Sequence, residues 1–446
     1  MSGLFLDGPG VPPEEASPDY RTLLERLYER ARGGSRFELT AIAEALEKLG
    51  HPEQRFPAIH VVGSNGKGST CAFLAAILAA EGLTVGLYTS PHLYAFNERI
   101  QRVDRGGAHP IREEVLLEIF RRIEAAVPDF GAMTFFEIVT VAAILAFAQA
   151  GVDVAVIEAG LGARLDATRL VQAEVGVLTD LALEHTQLLG PTLVHIAEEK
   201  SAVIRPGKPV VVADGDPAAM AVIDRVAKTA AAPVFRLGEQ VQLSWRDQQL
   251  DLVWPDRALR GLRLSLLGAH QARNAALAVQ AALLFRPTLQ EASIRAGLLG
   301  AVWPGRLEVV RPTEGPPLLL DGAHNPDGVQ ILVDALQAHF TGPFHLLLGA
   351  MADKDLLGMI TRLAPVAASW TLTRPSNARA AAPLDLAALI PGSAPREVIE
   401  APGAALRGAR ARASQEGGWV VVCGSLYLLG DLYGDVRILR PFRSGW

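Results

Sequence analysis

The run Ile59-His60-Val61-Val62-Gly63-Ser64-Asn65-Gly66-Lys67-Gly68-Ser69-Thr70 carries an apolar stretch into glycines, a lysine and hydroxyl side chains. Glycines let backbone N–H groups close around an anion, and a helix starting just beyond them adds a favourable dipole. The chemistry implied is phosphate binding. Asn65, Gly66, Lys67, Gly68 and Ser69 form the candidate cradle, with Lys67 as a mobile positive charge for the outer phosphates. The spacing is not the ordinary G-x-x-x-x-G-K-[ST] pattern. Gly68 separates Lys67 from Ser69, and only two residues lie between Gly63 and Gly66. A strand-to-helix turn without a ligand is the plainer alternative, and the lysine speaks against it.

Other chemistry-bearing residues fall where short apolar runs stop, and ligands of open parallel sheets bind beyond the carboxyl ends of strands. Ser90 follows Thr84–Thr89, and Glu158 follows Val152–Ile157. Either could cap a turn, or both could reach Mg²⁺, which takes a few protein oxygens plus phosphates. Glu184-His185 precede a helical stretch bearing Glu198-Glu199-Lys200. His185 reads as a metal ligand or as a helix-adjacent hydrogen-bond donor, and Lys200 by itself as a solvated helical lysine. Asp321 follows another apolar run and could hold a ribose hydroxyl. His324 could bind an anionic group, and Ser425 could cap a helix or contact a carboxylate.

The elements that must position these residues alternate. Apolar runs of strand length and helical patterns follow one another from Ile59 to Ala213, which implies a parallel sheet covered on both faces. The segment Arg236–Leu267 alternates polar and apolar and predicts a small antiparallel excursion. Helical pattern resumes at His270. Trp303-Pro304-Gly305-Arg306 with Pro312, Gly315, Pro316 and Pro317 predicts an interdomain linker, after which the strand–helix rhythm restarts. The expected fold is α/β: a P-loop-containing N-terminal domain with a mostly parallel sheet, and a smaller Rossmann-like C-terminal domain. The expected boundaries are a flexible tail at 1–20, a first domain at 21–303, a linker at 304–316 and a second domain at 317–446.

Composition narrows the classes. The chain has 446 residues, enough for two or three domains, and half are hydrophobic. A net charge of -6 offers no global basic field for nucleic acid. Cys71 and Cys423 are too far apart for a metal motif, and with no disulfide framework they suit a reducing cytoplasm. The N-terminal stretch lacks the basic and apolar regions of a signal peptide. The most apolar segment, Ile138–Ala148, is about half the ~20 residues of a membrane span, so a buried helix is expected and no membrane partner.

Taken together, the motifs resemble those of the Mur ligase superfamily, and within it the folylpolyglutamate synthases, many of which are also dihydrofolate synthases. The resemblance runs from about Tyr20 to Tyr433. Its carriers are GSNGKGST at 63–70, TSPHL at 89–93 followed by NERI, TFFE at 134–137 and EAGLGARLDAT at 158–168. EHTQLLGPT at 184–192, EEK at 198–200, HQARNA at 270–275 and PGR at 304–306 follow. DGAHNP at 321–326, GAMADKD at 349–355 and GSLYL at 424–428 complete it. The resemblance implies ATP-dependent addition of L-glutamate to folate, and to dihydropteroate, through an acyl phosphate. It implies a monomer, with ATP and two Mg²⁺ sites.

The same resemblance implies residue roles. Asn65 to Ser69 would hold ATP phosphates, and Ser90, Glu158 and His185 the magnesium ions. Lys200 would be carboxylated by CO₂, which requires a neutral amine. Asn274, Arg306 and Asp321 would contact ATP. Phe135, Phe136, Leu165 and Asp166 match positions near the pterin-bearing substrate, and His324 and Ser425 match positions near glutamate. Lys67, Lys200, His185 and His324 would be catalytic. The chain departs from the family pattern at Glu184, Ala159, Ala163, Arg169 and Ser201-Ala202-Val203, and these changes bear on loop shape. A different Mur-type amino-acid ligase shares the ATP machinery, but those enzymes generally carry a substrate domain where this chain has only a short region before Ile59. A P-loop kinase or motor-type NTPase would leave the DGAHNP segment unexplained.

Overall fold

A computed structural model describes residues 16–31 and 38–438. The expected tail up to Glu15 lies outside the described residues, as does Gly33-Gly34-Ser35-Arg36-Phe37, whose composition predicts a loop between two helical patterns. The first helix, Pro18–Ala31, begins ahead of the expected boundary, and Tyr20 within it is buried. The chain forms two compact units. One extends to Ser265 and resumes at Gln271–Val302; the other comprises Leu266–His270 and the chain from Trp303 onward.

The first unit is built on eight strands: β1 (Ala58–Val62), β2 (Val85–Tyr88), β3 (Ile100–Asp104), β4 (Gly107–Pro110), β5 (Val154–Glu158), β6 (Ala173–Leu178), β7 (Val210–Val212) and β8 (Val234–Arg236). Their order is β4-β3-β2-β5-β1-β6-β7-β8. Pairing is parallel from β2 through β8, while β3 and β4 add an antiparallel edge. The central strands β1 and β5 are buried along their whole length, as expected for apolar runs covered on both faces. The helix Phe135–Ala150 is apolar all round and buried in this core. Thr134 caps it, with Glu137 returning the bond in a capping box.

The expected antiparallel excursion is a three-stranded sheet of β9 (Gln242–Arg246), β10 (Gln249–Val253) and β11 (Ala258–Arg263). Asp247 and Gln248 both take positive φ between β9 and β10, the backbone of a two-residue hairpin turn. The helical pattern of Thr192–Ile204, stopped by Pro206-Gly207, predicts one helix. The structure instead gives Leu193–Lys200, capped by Thr192, and then a 3₁₀ turn at Ser201–Val203. Such turns tighten the end of a helix whose last carbonyls lack partners.

The second unit holds β12 (Glu308–Val310), β13 (Leu318–Leu320), β14 (Phe344–Leu348), β15 (Ala367–Leu372), β16 (Arg396–Val398) and β17 (Trp419–Cys423), in the order β12-β13-β17-β14-β15-β16. Only β12 is antiparallel to its neighbour. The stretch expected as a linker therefore contains an edge strand, and Leu307 ahead of it belongs to the second core. Leu266–His270 groups with this unit because Leu267 packs against the same core.

One helix contact in the first unit sets a strict size limit. A Cβ on Gly297 would lie 2.3 Å from Ile77 Cα and 2.5 Å from its backbone nitrogen. Gly297→Ala should destabilise the protein by about 1–3 kcal/mol, as overpacking does. Thermal melting should register a loss of several degrees; an unchanged melt would show that the helices separate freely.

Candidate active site

The loop after β1 is fastened to the end of β6. Thr179 N donates to Val62 O at 2.8 Å and Ser64 N to Asp180 O at 2.9 Å. Thr179 Oγ1 donates to Asn65 O at 2.7 Å, and Ser64 Oγ to Ala182 O at 3.1 Å. The fit requires glycine twice. A Cβ on Gly63 would lie 1.7 Å from Thr179 Oγ1, and one on Gly66, at φ 84°, would lie 2.2 Å from Asn274 Oδ1. The helix Lys67–Ala80 starts at this loop with no side-chain cap, so its first N–H groups and dipole face the same place.

Two lysines close over the loop. Lys67 Nζ donates to Gly63 O at 2.9 Å and Ser64 O at 3.1 Å. Lys200, 2% exposed, donates to Gly63 O at 2.7 Å and pairs with Glu184 Oε1 at 2.9 Å. Burial, then repulsion from Lys67, pushes the Lys200 amine down to about 8, with Glu184 opposing. Burial by itself would raise Glu184, but Lys200 and Lys67 outweigh it and hold the carboxyl below its ordinary range.

Ser90 follows β2 and Glu158 ends β5, the adjacent parallel strand, so both come to the same sheet edge as the loop. Ser90 N donates to Glu158 Oε2 at 3.1 Å, and Glu158 is buried. The contact is made by the Ser90 backbone, and the Ser90 hydroxyl and the Glu158 carboxylate are donors of the type a hard cation takes alongside phosphate oxygens. His185 sits on another loop with positive φ, heading the short helix Thr186–Leu189. Among the described residues no group of three or more His, Cys, Asp or Glu forms a ready-made metal cluster.

Ser90 also lines a cavity of about 520 Å³. Phe136, Leu161, Leu165, Leu188 and Leu189 give it apolar walls, and Arg99, Glu137, Asp166 and Glu199 give it polar ones. Phe135 is not among the lining residues. It stacks on Tyr28 at 5.7 Å between ring centroids and lies under the Arg99 guanidinium. Asp166 shapes one wall. Its Oδ2 accepts from Gly160 N and Leu161 N, and its Oδ1 from Thr168 N and Thr168 Oγ1. Thr168 Oγ1 also meets His60 Nε2 at 2.8 Å. Since Thr168 donates to the carboxylate, His60 must carry its proton on Nε2. Burial, then Arg205 and Arg169, holds His60 neutral, down to about 3.

In the second unit, Asp321 follows β13 directly and is anchored by backbone donors: Leu307 N at 2.8 Å to Oδ2 and Ala323 N at 2.9 Å to Oδ1. Burial raises its carboxyl, with Arg306 and these donors opposing. Arg306 donates to Gly305 O at 3.1 Å, and with burial it helps push His270 down to about 4. His324 Nδ1 donates to Gly322 O at 2.8 Å, which fixes its tautomer when neutral. Ser425 Oγ accepts from Tyr427 N at 3.0 Å, so it caps the helix Leu426–Ile438 as the simpler reading held.

The sequence reading missed Thr179, His60 and Gln271. Thr179 and His60 act through partners far along the chain. Gln271 stands in the HQARNA motif, where only Asn274 had been singled out.

The family model for the Mur ligase middle domain matches residues 61–282, and that for the Mur ligase glutamate ligase domain matches 305–426. The chain is 36% identical to the folylpolyglutamate synthase of Lacticaseibacillus casei, over 87% of this chain and 91% of that one. It is 35% identical to the dihydrofolate synthase/folylpolyglutamate synthase of Bacillus subtilis, over 81% and 87%. The structure of E. coli FolC in complex with DHPP and ADP superposes with a TM-score of 0.85 at 31% identity, covering 95% of this chain and 98% of that one. The bifunctional enzyme of Yersinia pestis, complexed with AMPPNP and Mn ion, gives a TM-score of 0.84 at 31% identity over 96% and 100%. Fold and loop are those of the Mur ligases, and within them this chain belongs to the folylpolyglutamate synthase/dihydrofolate synthase family.

The environment of Lys200 makes a titration prediction. Its folded pKa of about 8 lies below the unfolded 10.5. The unfolded chain therefore binds more protons between these values, and stability should rise with pH across that window. In CO₂-free buffer, NMR of lysine labelled at Cε should show one buried resonance with a midpoint near pH 8; a midpoint near 10.5 would contradict the burial argument.

Proposed function

We propose that this protein joins the amino group of L-glutamate to a carboxylate of a reduced folate, and of dihydropteroate, using ATP. The observation that carries the reading is the place of Ser90: its backbone holds the buried Glu158 carboxylate at the sheet end that also carries the phosphate loop, and it lines the cavity whose apolar walls suit a flat acceptor. The family relationship over most of the chain supports the same substrates.

The acceptor carboxylate attacks the γ-phosphorus of ATP, forming an acyl phosphate and releasing ADP. The glutamate amine then attacks the acyl carbon, loses a proton, and phosphate leaves. Asn65, Gly66, Gly68 and Ser69 hold the phosphates through backbone N–H groups and a hydroxyl. Lys67 exchanges its carbonyl partners for phosphate oxygens and offsets charge on the transferring group. Ser90 and Glu158, with His185, would hold magnesium, which supplies further charge neutralisation when bound. Phe136, Leu165 and the Asp166-braced loop orient the acceptor, with Phe135 supporting them through the aromatic cluster at Tyr28. By the family relationship, Asn274 serves the nucleotide in the first unit, and the second unit offers Arg306 and Asp321 for a nucleotide and His324 and Ser425 for glutamate.

Lys200 adds CO₂ through its neutral amine, forming a carbamate and releasing a proton. Its burial and its pKa of about 8 support that chemistry. The product reverses the charge facing Glu184, so the Lys200–Glu184 ion pair must give way. The same reading puts a monomeric enzyme in the cytoplasm, where the free thiols of Cys71 and Cys423 stay reduced. No helix among the described residues is long and apolar enough to cross a membrane.

Labelled glutamate incorporation with Mg-ATP, run with tetrahydrofolate and with dihydropteroate, tests the proposal. Product from both is expected. Product from tetrahydrofolate alone would restrict the enzyme to polyglutamylation, and product from neither would transfer it to another acceptor class. Lys67→Ala should abolish turnover with an unchanged melt; retained ligation would sink the assignment of the loop.

A further inference from the structure

We propose that Gln271 is a positioning residue that sets the hydrogen-bond polarity of both Ser69 and Asn274 in the nucleotide site. This inference rests on the reading of that loop as the phosphate cradle. Gln271 and Asn274 lie one turn apart on the helix Ala269–Phe285, so their side chains share a face. Gln271 is 1% exposed and Asn274 4%. The Gln271 amide bridges two segments of the unit. Its Nε2 donates to Ser69 Oγ at 3.3 Å, 202 residues away in sequence, and its Oε1 accepts from Asn274 Nδ2 at 3.0 Å.

Two consequences follow from the donor and acceptor inventory. Ser69 Oγ accepts a hydrogen bond from Gln271, which leaves its own O–H to act as a donor, the role a phosphate oxygen requires. Asn274 points its NH₂ at Gln271, so its Oδ1 is the atom lying against Gly66. A half-turn of the Asn274 amide would exchange donor and acceptor with almost no change in shape, and the Gln271 bond selects one orientation. One buried amide thereby orients the hydroxyl in the first turn of the phosphate helix and the amide beside Gly66.

The test uses the full chain carrying Gln271→Met, which keeps length and removes the amide. Calorimetric ADP affinity and the KM for ATP should each worsen about tenfold, the effect of losing one buried polar partner. The KM values for folate acceptor and glutamate should hold, and the melting temperature should fall by no more than a few degrees, the effect of losing the same two bonds. Adding Ser69→Ala to Gln271→Met should cost less than the sum of the two single losses, because part of what Ser69 contributes is the orientation that Gln271 supplies. Unchanged ADP affinity, additive losses, or a parallel rise of all KM values with a lowered melt would overturn the proposal. If the methionine variant is poorly folded, Gln271→Leu decides: it also removes the amide and brings no charge beside the phosphates. ATP-specific weakening supports the proposal and uniform weakening overturns it. If the wild-type protein binds ADP and responds to Gln271→Met but makes no glutamyl product, the ligase reading falls and this one stands.

Discussion

A single carbonyl oxygen, that of Gly63, accepts hydrogen bonds from two ammonium groups, Lys67 and Lys200. Two cations at one acceptor in a mostly buried site repel each other, and Glu184 is the carboxylate set against them. Among these three side chains the balance is positive while Lys200 is a free, protonated amine, and it lies beside a helix N-terminus. A phosphate arriving there replaces a carbonyl with a charged acceptor and relieves repulsion already present. The depressed pKa of Lys200 is the same repulsion and burial seen from the amine.

That arrangement holds only if the loop keeps its shape. Gly63 passes so close to Thr179 that no side chain fits, and Asn274 occupies the space beside Gly66. The loop is therefore moulded by β6 on one side and by the helix Ala269–Phe285 on another, rather than by its own sequence. Binding then needs little reorganisation of backbone, which is what electrostatic catalysis requires of its donors. The cavity follows the same plan. Asp166 devotes its oxygens to the loop that walls it, and His60, deep in β1, steadies that loop through Thr168.

Local signals were legible and long-range ones were not. The turn at Gly63–Ser69 could be read because glycine spacing and the flanking periodicities lie in one short window. A strand such as Val154–Glu158 could be read because both faces are buried and the run up to Glu158 is continuously apolar. The strand Glu308–Val310 could not, because an edge strand flanked by Pro304, Pro312 and Pro316 has the composition of a linker. The assignment of Leu266–His270 to the second unit rests on where Leu267 packs, which no local pattern contains. The family motifs named Asn274 but not Gln271, since the bond to Ser69 exists only once two distant helices meet. The pairing of Lys200 with Glu184 was hidden for the same reason.

Phosphoryl transfer from ATP to the acceptor carboxylate is the step on which the proposed chemistry depends. The most direct test labels that carboxylate with ¹⁸O and analyses the phosphate released during glutamate ligation. One ¹⁸O atom is predicted in each phosphate formed, carried over when the acyl phosphate breaks. Phosphate without label, alongside continued ATP hydrolysis, would contradict it, because ATP would then be cleaved by water instead.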